Sequence, residues 1–208
     1  MDPLKLILLK IRERIVSYFS DNSPILIKES VLDGPKIHLG CGDINLQGWI
    51  NLDARDAPHV HIKTESLHLN EFQDNTVSEI YLCHVLEHFS FKEVKDLLAN
   101  FYLKMHQGGI LRISVPDFSA LVELYNISSD LKKIEQPLMG GQDYEFNFHK
   151  SVFDKNFLSN LLMESGFSQV VNWCPEGDFG KEIGDWSAGF VEYNSKRFPI
   201  SLNLKAIK

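Results

Sequence analysis

The sequence predicts an α/β protein: one domain built on a mostly parallel sheet, its short buried strands alternating with helices. Three observations carry this. Short apolar runs at Lys36–Leu39, Glu79–Cys83 and Ile110–Val115 are bounded by glycine, proline or asparagine turns. Between the last two of these, Lys92–Met105 places Val94, Leu97, Leu98 and Phe101 at helical spacing. Strand patterns then close the chain, at Gln169–Trp173 and at Ile200–Ile207 with alternating Leu202, Leu204 and Ala206.

The 208 residues suffice for one sizeable domain. A composition 44% hydrophobic and 24% charged is that of an ordinary globular chain. The net charge of −7, with basic clusters only at Lys10–Arg12–Arg14 and Lys196–Arg197, argues against a nucleic-acid partner. Cys41, Cys83 and Cys174 share no close spacing, so neither a disulfide framework nor a CxxC motif is present, and a reducing, cytoplasmic setting is expected. No run approaches the roughly 20 apolar residues that span a bilayer.

Taken in order, residues 1–24 read as an amphipathic helix with Leu4, Leu8, Ile11, Ile15 and Phe19 on one face, ended by Asn22-Ser23-Pro24. It is expected to pack on the domain or on a second copy in a homodimer, with contact to a membrane surface as the alternative. Lys5 and Lys10 interrupt the apolar run and no small-residue cleavage site follows, so it does not read as a signal peptide. The domain proper is expected over 25–208. Its first segment, Ile25–Leu32, reads as an edge strand or irregular lead-in. After Pro58 a short strand is expected around Val60–Lys63. Gly108-Gly109 is expected to end the Lys92–Met105 helix. A further helix is expected over Phe118–Tyr125, with another turn or two beyond Asp130. A long loop should follow over 135–150, then a helix over Lys155–Ser165 capped by Asp154 and closed by Gly166. The polar stretch 175–189 reads as a second long loop. Long ordered loops inside a compact domain are usually functional.

The stretch Lys36–Asp53, KIHLGCGDINLQGWINLD, draws most attention. A strand runs into Gly40-Cys41-Gly42, and a second strand at Trp49–Leu52 ends on an acid, Asp53. Glycines after a strand let the backbone approach a ligand, and an acid at the next strand end can accept both hydroxyls of a ribose. This is not the dinucleotide fingerprint: Asn45 stands at the third glycine position, and Asp53 follows Gly42 too early. About ten residues separate the strands, the low limit of a parallel crossover, so the helix between them must be one turn or absent. A carboxylate-bearing nucleoside suits this better than a pyrophosphate.

HLGCG followed by GWINLD resembles motif I and the second strand of class I S-adenosylmethionine-dependent methyltransferases. More closely, it is similar to a bacterial subgroup (type 11-like) associated with surface-polysaccharide synthesis. The resemblance continues through DNTVSEIYLCHVLEHF, through LKMHQGGILRISVPD (with Met-His-Gln where the family has a proline), through FHKSVFDKNFLSNLLMESGF and the terminal PISLNLKAIK, covering Lys36–Lys208. It implies a Rossmann-like seven-stranded sheet whose last strand is antiparallel, with S-adenosyl-L-methionine as cofactor. By the same resemblance Gly40, Cys41 and Gly42 would pass beside the methionine part. Asp53 would hold the ribose. Glu65 stands where the family has Asp near the adenine, with Ser66 as an alternative contact, and His84 would line the cofactor pocket.

His84-Val85-Leu86-Glu87-His88 also matches HxxEH, a zinc-peptidase pattern. Zinc there needs both histidines on one helical face and a third ligand from a later helix. His84 follows directly on a strand, so His88 reads as a helix-opening or packed histidine on the acceptor side and no metal is expected. Methyl transfer to oxygen benefits from a base, which makes His149 the first candidate and Asp117 the second. Tyr144, Asp185 and Trp186 are expected to shape the pocket of a small polar or saccharide acceptor. The rival reading is a catalytically silent methyltransferase-like module that binds a protein partner.

Overall fold

A computed structural model describes residues 34–179 and 183–208. The chain divides into two units, Met1–Val31 and Leu32–Lys208. The expected N-terminal helix over 1–24 and the lead-in at Ile25–Leu32 lie outside the described residues. Among the described residues no helix is long and apolar enough to cross a membrane.

The elements run β1 (Lys36–Leu39), β2 (Ile50–Asp53), β3 (Ile62–Lys63), β4 (Val77–Cys83), α1 (Phe91–Lys104), β5 (Met105–Pro116), α2 (Phe118–Ser128), α3 (Glu135–Met139), α4 (Lys155–Glu164), β6 (Gln169–Asn172), α5 (Pro175–Phe179), β7 (Phe190–Tyr193), β8 (Lys196–Pro199) and β9 (Ser201–Ile207). Seven strands form one sheet in the order β3-β2-β1-β4-β5-β9-β6. The pairs from β3 across to β5 are parallel, and β9 is antiparallel to both its neighbours. The order reverses between β1 and β4, which places a ligand crevice at the carboxyl ends of those two strands.

The sheet has two unlike faces, because side chains alternate along each strand. Ile37, Leu39, Ile80, Leu82, Leu111, Ile113, Leu204 and Ala206 share one face through the register of β1, β4, β5 and β9. They pack on Val94, Leu97, Leu98 and Phe101 of α1 and on Leu158, Leu161 and Leu162 of α4. Ser90 closes a capping box with Glu93 at the start of α1, and the Asp154 carboxylate accepts from Phe157 N at 2.7 Å at the start of α4. The opposite face carries His38, Tyr81, Arg112 and Lys205. There Arg112 donates to Glu79 Oε2 at 2.6 Å, Glu79 also pairs with Lys36, and Lys205 reaches Asp178 of α5 at 2.7 Å. Tyr81 sits among His38, Trp49, Trp173 and Phe179.

Several elements differ from expectation. Gly108-Gly109 does not end α1; the helix stops at Lys104, and both glycines lie inside β5. The pairing shifts there, from Val77 opposite Met105 to Glu79 opposite Ile110, so β5 bulges. Gly108 takes φ +80, and a Cβ on Gly109 would lie 2.9 Å from the His106 carbonyl, so the bulge needs what a C-cap would need. The loop expected over 135–150 begins with α3, and that over 175–189 holds α5 and a 3-10 turn at Trp186–Ala188. The β7–β8 hairpin, reversed at Asn194 and Ser195 with φ +50 and +59, was not foreseen. It packs with α2 and α3 in a second apolar cluster around Leu121, Leu124, Ile134 and Ile200.

Candidate functional site

A cavity of about 810 Å³ opens at the carboxyl ends of β1, β2 and β4, roofed by residues from 132–149 and 184–191. Gly40 and Gly42 both adopt left-handed backbone, φ +60 and +56. A Cβ on Gly40 would collide with the stiff Val85 side chain. Cys41 N donates to the Leu52 carbonyl at 3.1 Å, which ties the turn to β2, and no helix separates β1 from β2.

Asp53 sits where β2 ends. Gly42 N donates to its Oδ2 at 2.8 Å and Arg55 N to its Oδ1 at 2.9 Å. Arg55 Nε also donates to Oδ1, at 3.4 Å, so Oδ2 keeps an open acceptor direction, whereas Oδ1 regains one only when that long bond is given up. The Arg55 guanidinium, itself half exposed, lies between Asp53 and Asp43. Glu65 lines the cavity while Ser66 does not; its hydroxyl accepts from His68 N at 3.2 Å in a local turn with Thr64.

The other wall gathers residues that are distant in sequence. His84 has φ +53 and places Nε2 2.9 Å from Ser201 Oγ and Nδ1 3.3 Å from Glu87 Oε1. Leu86–His88 form one 3-10 turn rather than an α-helix, so the HxxEH pattern does not build a zinc-peptidase helix. His149 enters from the segment after α3, its ring edge-on to His88 with centroids 4.9 Å apart and its Nε2 3.9 Å from Glu87 Oε1. Burial drives Glu87 up to about 8 and His149 down to about 4. Burial, followed by the neighbouring His149, holds His84 at about 3. Burial thus favours the uncharged form of each of these groups.

Trp186 and Tyr144 line the cavity as expected. Asp185 also lines it, but its carboxylate is engaged: Tyr81 donates to Oδ2, and Ser187 N to Oδ1 at 2.9 Å. Asp117 is not among the lining residues; its carboxylate accepts from Ser119 N at 3.0 Å at the start of α2. Sequence reasoning left out Glu87 as a site residue, although the HxxEH pattern contains it. It also left out Arg55, whose signal was its place two residues past the acid, and Tyr81 and Ser201, which carried none.

No protein-family model matches the chain, and no curated protein does. Among solved structures, the chain is similar to a SAM-dependent methyltransferase from Archaeoglobus fulgidus (TM-score 0.53, 16% identity, 97% of this chain and 93% of that one). It is similar also to a SAM-dependent methyltransferase from Thermotoga maritima (TM-score 0.50, 12% identity, 85% of this chain and 83% of that one). With the strand order and the antiparallel β9, these likenesses give the chain the fold of the SAM-dependent methyltransferases.

Proposed function

We propose that the protein is a cytoplasmic S-adenosyl-L-methionine-dependent methyltransferase acting on oxygen of a small polar or saccharide acceptor, as in surface-polysaccharide synthesis. The observation that carries the reading is Asp53, oriented by Gly42 N and Arg55 N, with an acceptor direction open on Oδ2 and a second on Oδ1 once the long Arg55 Nε bond yields. That suits a ribose diol. The cofactor fits the wall that the chain supplies: glycine backbone free of Cβ at Gly40 and Gly42 beside Cys41, a pre-set acid, and Glu65 further along for the base end.

Bound there, the cofactor supplies an electrophilic methyl group on a sulfonium. The chain's own work is to hold the acceptor in line with that methyl and to keep water away. Trp186, Tyr144 and His88 give the acceptor a partly aromatic wall. His149 is neutral and can accept a hydrogen bond from an acceptor hydroxyl. Held at about 4, it is a weak base for that proton on its own. Asp117, engaged at the head of α2, is further from such a role.

Calorimetry with S-adenosylmethionine and S-adenosylhomocysteine tests the reading. Binding of both is expected; a well-folded protein that binds neither would support a silent, partner-binding module instead.

A further inference from the structure

We infer that Glu87, His88 and His149 form a site for one divalent transition-metal cation on the acceptor side of the cavity. One ligand atom from each of the three lies within 4.8 Å of the other two. The cluster joins a 3-10 turn after β4 to a residue more than 60 positions away (His88 Nδ1 meets the Phe148 carbonyl across 60).

The second observation is the state of the carboxylate. The Glu87 side chain is 1% exposed, and among the described residues neither oxygen makes a hydrogen bond, although His84 Nδ1 stands 3.3 Å from Oε1. A buried carboxyl left in that state is costly, and in native proteins it points to an ordered water or an ion. A void of about 10 Å³ borders Glu87, His149 and Ser151, whose Oγ is likewise without a hydrogen bond. That is room for one water; His88 does not border this void, so a cation shared by all three side chains sits between them on the His88 side.

The imidazoles are prepared in different ways. The backbone carbonyls of Leu138 and Pro137 lie near the His149 ring, where ligating histidines commonly find a further hydrogen-bond partner. His88 has carbonyl oxygens beside both ring nitrogens, Phe148 O at 3.3 Å and His84 O at 3.2 Å. A neutral ring carries one N–H, so one of these is no hydrogen bond, and a cation takes that nitrogen at little loss. Bonds of about 2.1 Å place tetrahedral ligand atoms about 3.4 Å apart, so modest side-chain rotation closes the cluster.

Two imidazoles and one carboxylate select Zn²⁺, Mn²⁺ or Fe²⁺ over Ca²⁺ or Mg²⁺, and leave coordination positions open. His88 and His149 also line the main cavity, so an open position is reached from the acceptor side. There, on the methyl-transfer reading, the cation holds and polarises an acceptor hydroxyl, which answers the weak basicity of His149.

The test is titration of chelator-treated protein with Co²⁺ by absorbance and with Zn²⁺ by calorimetry, alongside S-adenosylhomocysteine binding. One equivalent should bind, with a spectrum of nitrogen and oxygen ligands and no thiolate charge-transfer band. Glu87→Gln and His149→Gln should each weaken it at least tenfold and leave S-adenosylhomocysteine binding within twofold. Glu87→Gln decides alone if the histidine variant does not fold. Absence of stoichiometric Co²⁺ or Zn²⁺ binding in folded protein, meaning a water in the void, overturns the site. So does equal affinity in Glu87→Gln. Cation binding with no S-adenosylhomocysteine binding would keep the site and sink the methyltransferase reading.

Discussion

The two walls of the cavity are built on opposite plans. The Gly40–Asp53 wall comes from one short stretch, and its polar atoms are already paired: Asp53 is held by Gly42 N and Arg55 N, and the turn is tied to β2. The Glu87–His149 wall is assembled from β4's exit and the segment after α3, and its central carboxyl accepts no hydrogen bond among the described residues. A wall that satisfies itself is shaped before its ligand arrives. A wall whose buried acid lacks a hydrogen bond has room to be completed by what it binds.

Four substitutions would break or sharpen that contrast. The largest effect is expected from Gly40→Ala, which forces a side chain into left-handed backbone against Val85; about 2–4 kcal/mol of stability should be lost in urea unfolding. Retained stability would show that the first wall is less rigid than its packing implies. Asp53→Ala should weaken S-adenosylhomocysteine binding by about 10- to 100-fold with little change in unfolding, since two hydroxyls lose their acceptor. In chelator, Glu87→Met should raise stability by about 1 kcal/mol, because a buried unpaired carboxyl is replaced by an apolar group of similar size. A drop in stability there would mean that Glu87 is satisfied after all. Arg55→Ala should be smallest, weakening cofactor binding by about threefold or less, because the guanidinium is half exposed and Gly42 N still orients the acid.

The same contrast explains what could be read from the chain. The first wall was legible because its signals are local: a glycine turn, a strand, an acid at its end. Spacing alone limited any helix between β1 and β2 to one turn, and there is none. The second wall was not. HxxEH drew attention to residues 84–88, but the ligand set of a zinc helix was the wrong template for a 3-10 turn, and nothing local says that Glu87 meets His149. Gly108-Gly109 was misread for a related reason, since a bulge and a C-cap both ask for left-handed backbone. The β7–β8 hairpin has its own turn signal at Asn194-Ser195. Its packing on α2 and α3 depends on Leu121, Ile134 and Ile200 converging, which periodicity does not report.

The loop after α3 has a mechanical consequence. Gln142 N donates to the Asn147 carbonyl at 2.9 Å, Asn147 N to the Tyr144 carbonyl at 3.0 Å, and Asn147 Nδ2 to Asp143 Oδ1 at 2.5 Å. These bonds close within the loop, so they travel with it. By contrast, the ties of Lys150 N and Ser151 N to the Glu87 carbonyl, at 2.8 and 3.1 Å, anchor its far end to the turn beneath. His149 N donates to the Met139 carbonyl at 3.1 Å, so the two ends of 140–149 are pinned to each other and the histidine sits at the closed neck of the loop. The neck of the loop, rather than Tyr144 at its tip, therefore sets where the histidine that faces Glu87 stands.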